Sequence, residues 1–143
     1  MLRFTKQVDY GLMAMQYIAA HQGDGVVGVR RIADEFCIPP EQLAKVLQRL
    51  ARSGLVASQA GPRGGYRLPL PPAEVSVGQV IRALEGPIGI VTCMTDHGDC
   101  AQTPRCTLRL PAHKINSAIA VVLDTMTLAE LAGDEAPEPV ALA

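Results

Sequence analysis

The sequence lacks any apolar run of the roughly 18 residues that a helix needs to cross a bilayer, so no membrane span is predicted. Its start, residues 1–15, carries an acidic side chain and no small-residue cleavage site, which argues against a secretory signal peptide. We therefore expect a cytoplasmic protein. Because thiols stay reduced in that compartment, the four cysteines are expected to be ligands or buried thiols and not disulfides.

The sequence also lacks the motifs that commonly mark enzymes. It has no paired-carboxylate motif, no nucleophile elbow and no phosphate loop that ends in Lys-Ser or Lys-Thr. Residues Gly61–Gly65 superficially resemble a phosphate loop, but predicted strands flank them on both sides and the lysine is missing. We therefore expect that the protein is not an enzyme.

The charges divide unevenly along the 143 residues, although the net charge is only −1. Residues 1–70 carry nine basic and five acidic side chains, a net +4, and the remainder carries four basic and nine acidic ones, a net −5. A basic half suits a polyanion such as DNA, and an acidic half suits a part that is kept away from it. Ordinary scatter of surface charge explains a net +4 equally well, so charge alone leaves both interpretations open.

Apolar periodicity predicts three helices in the first half of the chain. From Lys6 to Ala20 the apolar residues recur at helical spacing, and Thr5 stands at the N-cap position. A shorter helix is predicted from Val29 to Phe36, and another from Pro40 to Ser53, with Gly54 just past its end. Two short helices joined by a tight turn, the second amphipathic and basic, are typical of a helix-turn-helix.

A β-hairpin is predicted directly after these helices. Strands at Leu55–Ser58 and Tyr66–Leu68 flank a glycine-rich turn that carries one arginine, Arg63. A hairpin in this place is the wing of a winged helix. The predicted fold class is mainly α with a small β-hairpin wing. We expect a winged helix-turn-helix over residues 1–72, a cysteine-containing loop and a long helix over 73–132, and a disordered tail over 133–143.

The solvent face of the second helix of the helix-turn-helix carries the candidate DNA contacts. Side chains near the start of a recognition helix tend to reach base edges, and those further along meet phosphates. We assign base reading to Gln42, Lys45 and Gln48, and phosphate contacts to Arg49 and Arg52. In the wing, Arg63 suits the minor groove of a narrow A·T tract, and Gly64, Gly65 and Tyr66 complete the candidate DNA-binding set.

Two other interpretations of this surface are weaker. It is also what an ordinary solvated helix face looks like, and a winged helix can bind proteins instead of DNA. The Gly-Pro-Arg-Gly-Gly turn argues against both alternatives, because a glycine-rich tip lets the backbone approach another surface closely.

The second half of the chain contains further helices. A capping box, Ser76 with Gln79, begins a helix, and a second one, Thr127 with Glu130, begins a short final helix. Between them, apolar residues alternate at spacings of three and four, which indicates a narrow heptad seam. The residues of this seam are Ala112, Ile115, Ile119, Val122 and Met126.

Three cysteines lie close together in a loop of little periodicity. Cys93, Cys100 and Cys106 have the spacing C-x6-C-x5-C, without the C-x2-C pair that is usual for structural zinc. Wider gaps allow thiolates to surround a larger object, as an iron–sulfur cluster requires. Reduced loop thiols remain the alternative. Cys37 lies far away in the sequence, and we expect it to be a buried core thiol.

Three cysteines leave one coordination position of a cluster unfilled. His97 and His113 are the nearest candidates for it, although a single histidine is more often an ordinary surface residue. The residues alone leave the fourth ligand open.

The chain resembles the winged-helix iron–sulfur regulators typified by IscR, NsrR and RirA, from Met1 to about Leu131. The resemblance is carried by a glycine-rich wing, three cysteines at these gaps, and short motifs elsewhere, namely Leu2–Lys6 with Asp9-Tyr10, Arg49-Leu50, Gly54–Val56, Gly61–Tyr66 and Glu85–Pro87. It implies a homodimer with the heptad seam in its dimerisation helix, and a 4Fe–4S or 2Fe–2S cluster held by the three cysteines.

The resemblance also bears on the fourth ligand. NsrR-type members complete their cluster with an aspartate near the N-terminus of the partner subunit, and Asp9 stands at that position. A carboxylate in a first helical turn also has a structural explanation, because it interacts favourably with the helix dipole. IscR-type members use a histidine three residues after the third cysteine, where this chain has Arg109. Ala44 replaces a glutamate of IscR that discriminates between two classes of DNA site.

Several of these motifs look most like regulators of SUF-type iron–sulfur assembly. The resemblance therefore implies a DNA-binding repressor of cluster-assembly genes, whose operator affinity is controlled by redox-sensitive cluster binding. A nitric-oxide-sensing repressor of the NsrR type and a zinc-stabilised winged-helix repressor are the alternatives.

Overall fold

A computed structural model describes residues 3–94 and 100–132. Helix α1 spans Lys6–Ala20, α2 Val29–Phe36 and α3 Pro40–Arg52, and a hairpin of strands β1 (Ala57–Gln59) and β2 (Gly65–Arg67) follows. Helix α4 spans Val77–Glu85, α5 Arg109–Thr125 and α6 Leu128–Leu131. Short 3-10 turns lie at Gln22–Asp24, Pro72–Glu74, Thr92–Met94 and Thr103–Arg105. None of the helices in this described part is long and apolar enough to cross a membrane.

The core forms where α1 packs against α3 and α4. Met15 and Ile18 of α1 are fully buried, as are Leu47 of α3 and Leu84 of α4. Burial of each such side chain contributes about 1.5–3 kcal/mol. At Gly11 of α1, an added Cβ would lie only 2.7 Å from Leu84 Cδ1 of α4. The absence of a side chain at Gly11 leaves room for the Leu84 side chain in the core.

The predicted helices of the first half are confirmed, together with their end signals. The Thr5 hydroxyl accepts a hydrogen bond from the Val8 amide at 3.3 Å and caps α1. Ser53 is the C-cap of α3, and Gly54 adopts the left-handed conformation (φ +77°) that ends the helix. Both predicted capping boxes are present, at the starts of α4 and α6.

The wing is fastened to the segment before α2. Strands β1 and β2 are antiparallel, with Ser58 opposite Tyr66. The backbone of Tyr66 also exchanges two hydrogen bonds of 2.8 Å with Val27. A Cβ at Gly65 would overlap with the Val27 carbonyl, and one at Gly64 with the Gln59 carbonyl. These two glycines are therefore required for backbone packing within the protein, whatever surface the wing tip meets.

The prediction that Cys37 is a buried core thiol is wrong. Cys37 is exposed and occupies the C-cap of α2 with a left-handed backbone (φ 54°, ψ 39°). This conformation turns the chain sharply between α2 and α3, so the apolar contact passes to Ile38, which is 4% exposed. The predicted disordered tail, residues 133–143, lies outside the described residues.

The end of α5 is tied to the start of α4. The Val77 amide donates to the Met126 carbonyl and the Leu128 amide to the Val75 carbonyl, both at 2.9 Å. Arg82 donates two hydrogen bonds to the Asp124 carboxylate, which lowers the pKa of Asp124. Both side chains of this pair are about two-fifths exposed, so we expect it to contribute no more than about 1 kcal/mol.

Replacement of Gly65 by alanine is expected to destabilise the protein by about 1–3 kcal/mol, because the new methyl group meets backbone atoms that cannot rotate away. The midpoint of urea denaturation measures this loss. Gly23→Ala is the matched control, since no atom lies within 4 Å of a Cβ at that position. Equal midpoints for the two variants would show that the Gly65 contact is unimportant.

Candidate functional site

Helix α3 presents a polar face to solvent and an apolar face to the core. Its buried residues are Leu43, Val46, Leu47 and Leu50. The candidate DNA-reading residues are all exposed on the other side, namely Gln42, Lys45, Gln48, Arg49 and Arg52. The amphipathic pattern thus places these five side chains where a DNA groove can reach them.

A basic groove of about 280 Å3 runs between α1 and α3. Its cationic side chains are Lys6, Lys45 and Arg49, and its floor includes Tyr10. The Arg49 guanidinium donates a hydrogen bond of 2.6 Å to the Gln7 side-chain oxygen. Sequence reasoning missed Lys6 and Gln7, because it treated α1 only as a core helix. Both follow the N-cap directly and lie off the buried stripe, a signal that was available.

The wing residues do not all have the same surroundings. Arg63 is exposed in the turn between the strands. Tyr66 is half-buried and packs against the core, while its backbone is bonded to Val27. Gly64 and Gly65, also half-buried, are required by the close packing described above. Among the candidate wing contacts, Arg63 therefore has the side chain most open to a partner.

The three loop cysteines line one cavity of about 420 Å3. Cys93 is half-buried in the 3-10 turn that follows Val91, whereas Cys100 and Cys106 are exposed. The Thr103 amide and hydroxyl both donate to the Cys100 carbonyl, at 3.1 and 2.8 Å, and so form a local turn after Cys100. The other lining residues are Ile90, Val91, Leu108, Arg109 and Ala112.

The other candidate ligands lie elsewhere or outside the described residues. Asp9 is exposed in the first turn of α1 and does not line the cavity, and neither does His113. His97 falls in the gap of the described residues. Within residues 3–94 and 100–132, no three histidine, cysteine or acidic side chains are grouped closely enough to hold a single metal ion.

Some residues of the predicted heptad seam pack within their own chain, and the others are exposed to solvent. Ala112 is only 3% exposed and forms part of the wall of the thiol cavity. Ile119 lines an apolar groove of about 600 Å3 together with residues of α1 and α4. In contrast, Ile115 and Val122 are 52% and 47% exposed, and Met126 is exposed as well. Only part of the seam therefore faces away from its own chain.

The apolar groove lies next to the thiol cavity. Ile90 lines both spaces, and Phe4, Ile81 and Leu123 are among the other walls of the groove. At one side of it, the Thr5 hydroxyl donates a hydrogen bond of 2.5 Å to Glu85 at the end of α4. The residue that caps α1 is thus connected to the chain segment that leads into the cysteine loop.

Comparison with known proteins gives consistent results. The profile of the Rrf2 family, described as iron-dependent transcriptional regulators, matches residues 4–134. The HTH-type transcriptional regulator NsrR of Geobacillus kaustophilus (strain HTA426) is 33% identical over 136 residues, which cover 94% of this chain and 92% of NsrR.

Solved structures of relatives have the same fold. CymR, the global cysteine regulator of B. subtilis, is 33% identical with a TM-score of 0.73, and the match covers 92% of this chain and 97% of CymR. IscR of T. potens is 32% identical with a TM-score of 0.69, covering 91% and 85% of the two chains. The expected mainly α fold with a β-hairpin wing is confirmed. The chain therefore belongs to the Rrf2 family of winged-helix, DNA-binding transcriptional regulators, which are not enzymes.

Proposed function

We propose that this regulator is a homodimeric repressor whose affinity for operator DNA is controlled by an iron–sulfur cluster bound to Cys93, Cys100 and Cys106. The observation that carries the proposal is that these three thiols, up to 13 positions apart in the sequence, line one cavity. The description of the family as iron-dependent regulators supports the same conclusion.

The chemistry of the cavity suits a cluster better than a single ion. Three thiolates are the ligands that iron–sulfur clusters require. They line a space of about 420 Å3 and, among the described residues, are not gathered closely enough for one ion. The side chains of Ile90, Val91, Leu108 and Ala112 supply apolar walls around the three thiols. When bound, the cluster supplies a redox-sensitive centre that oxygen or nitric oxide can destroy.

For the fourth ligand we favour Asp9 of the partner subunit. In its own chain, Asp9 is exposed on the first turn of α1 and has no place in the cavity wall. Arg109 stands where IscR-type members have a histidine, and it cannot act as a ligand because its guanidinium remains protonated. A ligand from the partner would make cluster binding depend on the dimer.

The exposed apolar side chains of α5 support dimerisation. Ile115, Val121, Val122 and Met126 are between 38% and 61% exposed in the single chain. Ile115 and Val122 are seven positions apart and so lie on one side of α5, and exposed apolar side chains grouped in this way mark an interaction surface. We therefore propose that α5 and its symmetry mate pack together at this face, with the apolar groove beside it as part of the interface.

Five exposed residues of α3 and one of the wing are proposed to contact the operator. Gln42, Lys45 and Gln48 would read base edges, and Arg49 and Arg52 would bind phosphates. Arg63 would enter the minor groove. We add Lys6, because it lies in the same basic groove as Lys45 and Arg49, and Gln7, because its hydrogen bond holds the Arg49 guanidinium.

Regulation would follow from linkage between the loop and the dimer. Without a cluster, Cys100 and Cys106 are exposed, so little burial energy holds them at the cavity. With it, Cys93, Cys100 and Cys106 would be held together beside α5, and the spacing of the two α3 helices in the dimer would change. A coupling of ~3 kcal/mol changes DNA affinity about 150-fold, which is sufficient for a switch.

The regulated genes are proposed from the sequence motifs. The resemblance to SUF-type regulators favours genes for iron–sulfur cluster assembly, with loss of the cluster as the signal that such assembly is needed. The similarity to NsrR favours nitric oxide as a second candidate signal, acting on the same cluster.

Replacement of Cys100 by alanine is expected to abolish the visible absorbance of anaerobically purified protein, together with its iron and acid-labile sulfide, while the fold is retained. Cys37→Ala is the matched control, since Cys37 is exposed and lies outside the cavity. A wild-type protein that binds zinc but no iron or sulfide would contradict the proposal. So would an unchanged spectrum in the Cys100 variant.

Replacement of Arg49 or Arg63 by alanine is expected to weaken DNA binding without a change in the cluster spectrum. Loss of the Arg49 phosphate contact should weaken all sequences uniformly and lower the salt slope by about 1. Loss of the Arg63 minor-groove contact should weaken binding most at sites with a narrow A·T tract, and Lys45→Ala should relax sequence preference. Lys114→Ala removes the same charge from α5 and serves as the control. Binding titrations in which Arg49→Ala, Arg63→Ala and Lys114→Ala behave alike would refute the assigned DNA face.

A further inference from the structure

The segment that leads into the first cysteine of the cavity is held by a side chain of α5. The Asn116 side-chain oxygen accepts a hydrogen bond from the Ile90 amide at 3.1 Å. Its side-chain NH2 donates to the Ile88 carbonyl at 3.0 Å. Both polar groups of one half-buried side chain are thus bonded to the same short backbone segment.

This segment forms a wall of the thiol cavity. Ile90 lies three residues before Cys93, and its side chain lines both the cavity and the neighbouring apolar groove. Asn116 follows Ala112 by one helical turn, and Ala112 lines the cavity from the side of α5. The amide of Asn116 therefore fixes the distance between two walls of the cavity, one from the loop and one from the helix.

Among the described residues, the Asn116 side chain makes the only hydrogen bonds that join residues 88–94 to α5. The Met94 amide bonds to the Val91 carbonyl, a local turn that does not reach α5. An unsatisfied amide or carbonyl in a half-buried place is costly, so loss of the Asn116 side chain would release the segment toward water. The position of the Cys93 thiol would then no longer be set by α5.

We propose that Asn116 is a positioning residue for the cluster, which sets the place of Cys93 by clamping residues 88–90 to α5. The inference rests on the proposed function, because it takes the three thiols as the cluster ligands. Asn116 itself contacts no iron or sulfide. Its side-chain amide orients the loop that carries Cys93. Outer-shell hydrogen bonds orient metal ligands in the same way, and their loss lowers metal affinity about 10–100-fold.

The test compares Asn116→Ala with Ser117→Ala, an exposed neighbour on the same helix that serves as the control. Each protein is purified without oxygen, loaded with iron and sulfide, and then exposed to a chelator while the visible absorbance is followed. We expect the Asn116 variant to lose its cluster roughly tenfold faster or more. Ser117→Ala should decay at the wild-type rate.

A second measurement separates positioning from a purely structural role. The melting temperature of each variant is measured with and without the cluster, since a bound group raises stability according to its affinity. A structural role lowers both melting temperatures together. Positioning of the ligand reduces the difference between them. Asn116→Asp, which keeps the acceptor for the Ile90 amide but loses the donor to Ile88, should give the same reduced difference if the alanine variant fails to fold.

The outcomes distinguish this inference from the proposed function. If wild-type protein takes up no iron and sulfide, the proposed function fails and the inference fails with it. If wild type and Ser117→Ala bind a cluster and both Asn116 variants keep it equally long, only the positioning role of Asn116 is overturned.

Discussion

The packing of α1 against both α3 and α4 is the contact on which the rest of this structure depends. The apolar faces of α1 and α3 meet in this core, and the polar face of α3 is left exposed to solvent. The same packing places the first turn of α1 beside two functional regions. Arg49 on the proposed DNA face donates a hydrogen bond to Gln7, and Thr5 donates one to Glu85 at the end of α4. One helix therefore connects the reading surface to the chain segment that enters the cysteine loop.

The second half of the molecule depends on how α5 is attached. Its C-terminal end is bound to α4 through the backbone and through the Arg82–Asp124 pair. Near its other end, Ala112 lines the thiol cavity, and Asn116 bonds to the Ile88–Ile90 backbone that leads to Cys93. A change in that loop therefore acts on the helix that we propose as the dimer contact. Each of these contacts contributes little free energy. A modest difference in free energy between two positions of α5 is therefore enough to shift the balance between them.

The sequence predicted local structure well because the signals for it are local. Caps such as Thr5 and Gly54 and the two capping boxes act within one turn, and the helices begin and end where these residues predict. The three loop cysteines were recognised by their spacing, and the structure brings them to one cavity. Whether they hold a cluster stays a prediction.

The features that sequence reasoning missed depend on tertiary contacts. The apolar character of Cys37 suggested burial, but the left-handed turn between two helices directs it outward. The glycines of the wing were attributed to an external partner, whereas the Val27 segment packs against one of them within the chain. Ala112 and Ile115 both fit the heptad pattern, yet Ala112 is buried against its own chain and Ile115 is exposed to solvent. Periodicity alone does not distinguish these two surroundings.

The most direct test of the account is to measure DNA affinity with the thiol cavity loaded and stripped. Duplexes that bind the anaerobic, iron- and sulfide-loaded protein are selected from random sequence, and the best of them is titrated at fixed salt. We expect that removal of iron and sulfide from the same preparation changes the dissociation constant for DNA at least about fivefold, the lower end of typical couplings between sites. Identical titration curves for loaded and stripped protein would contradict it, because the cluster would then have no influence on the reader.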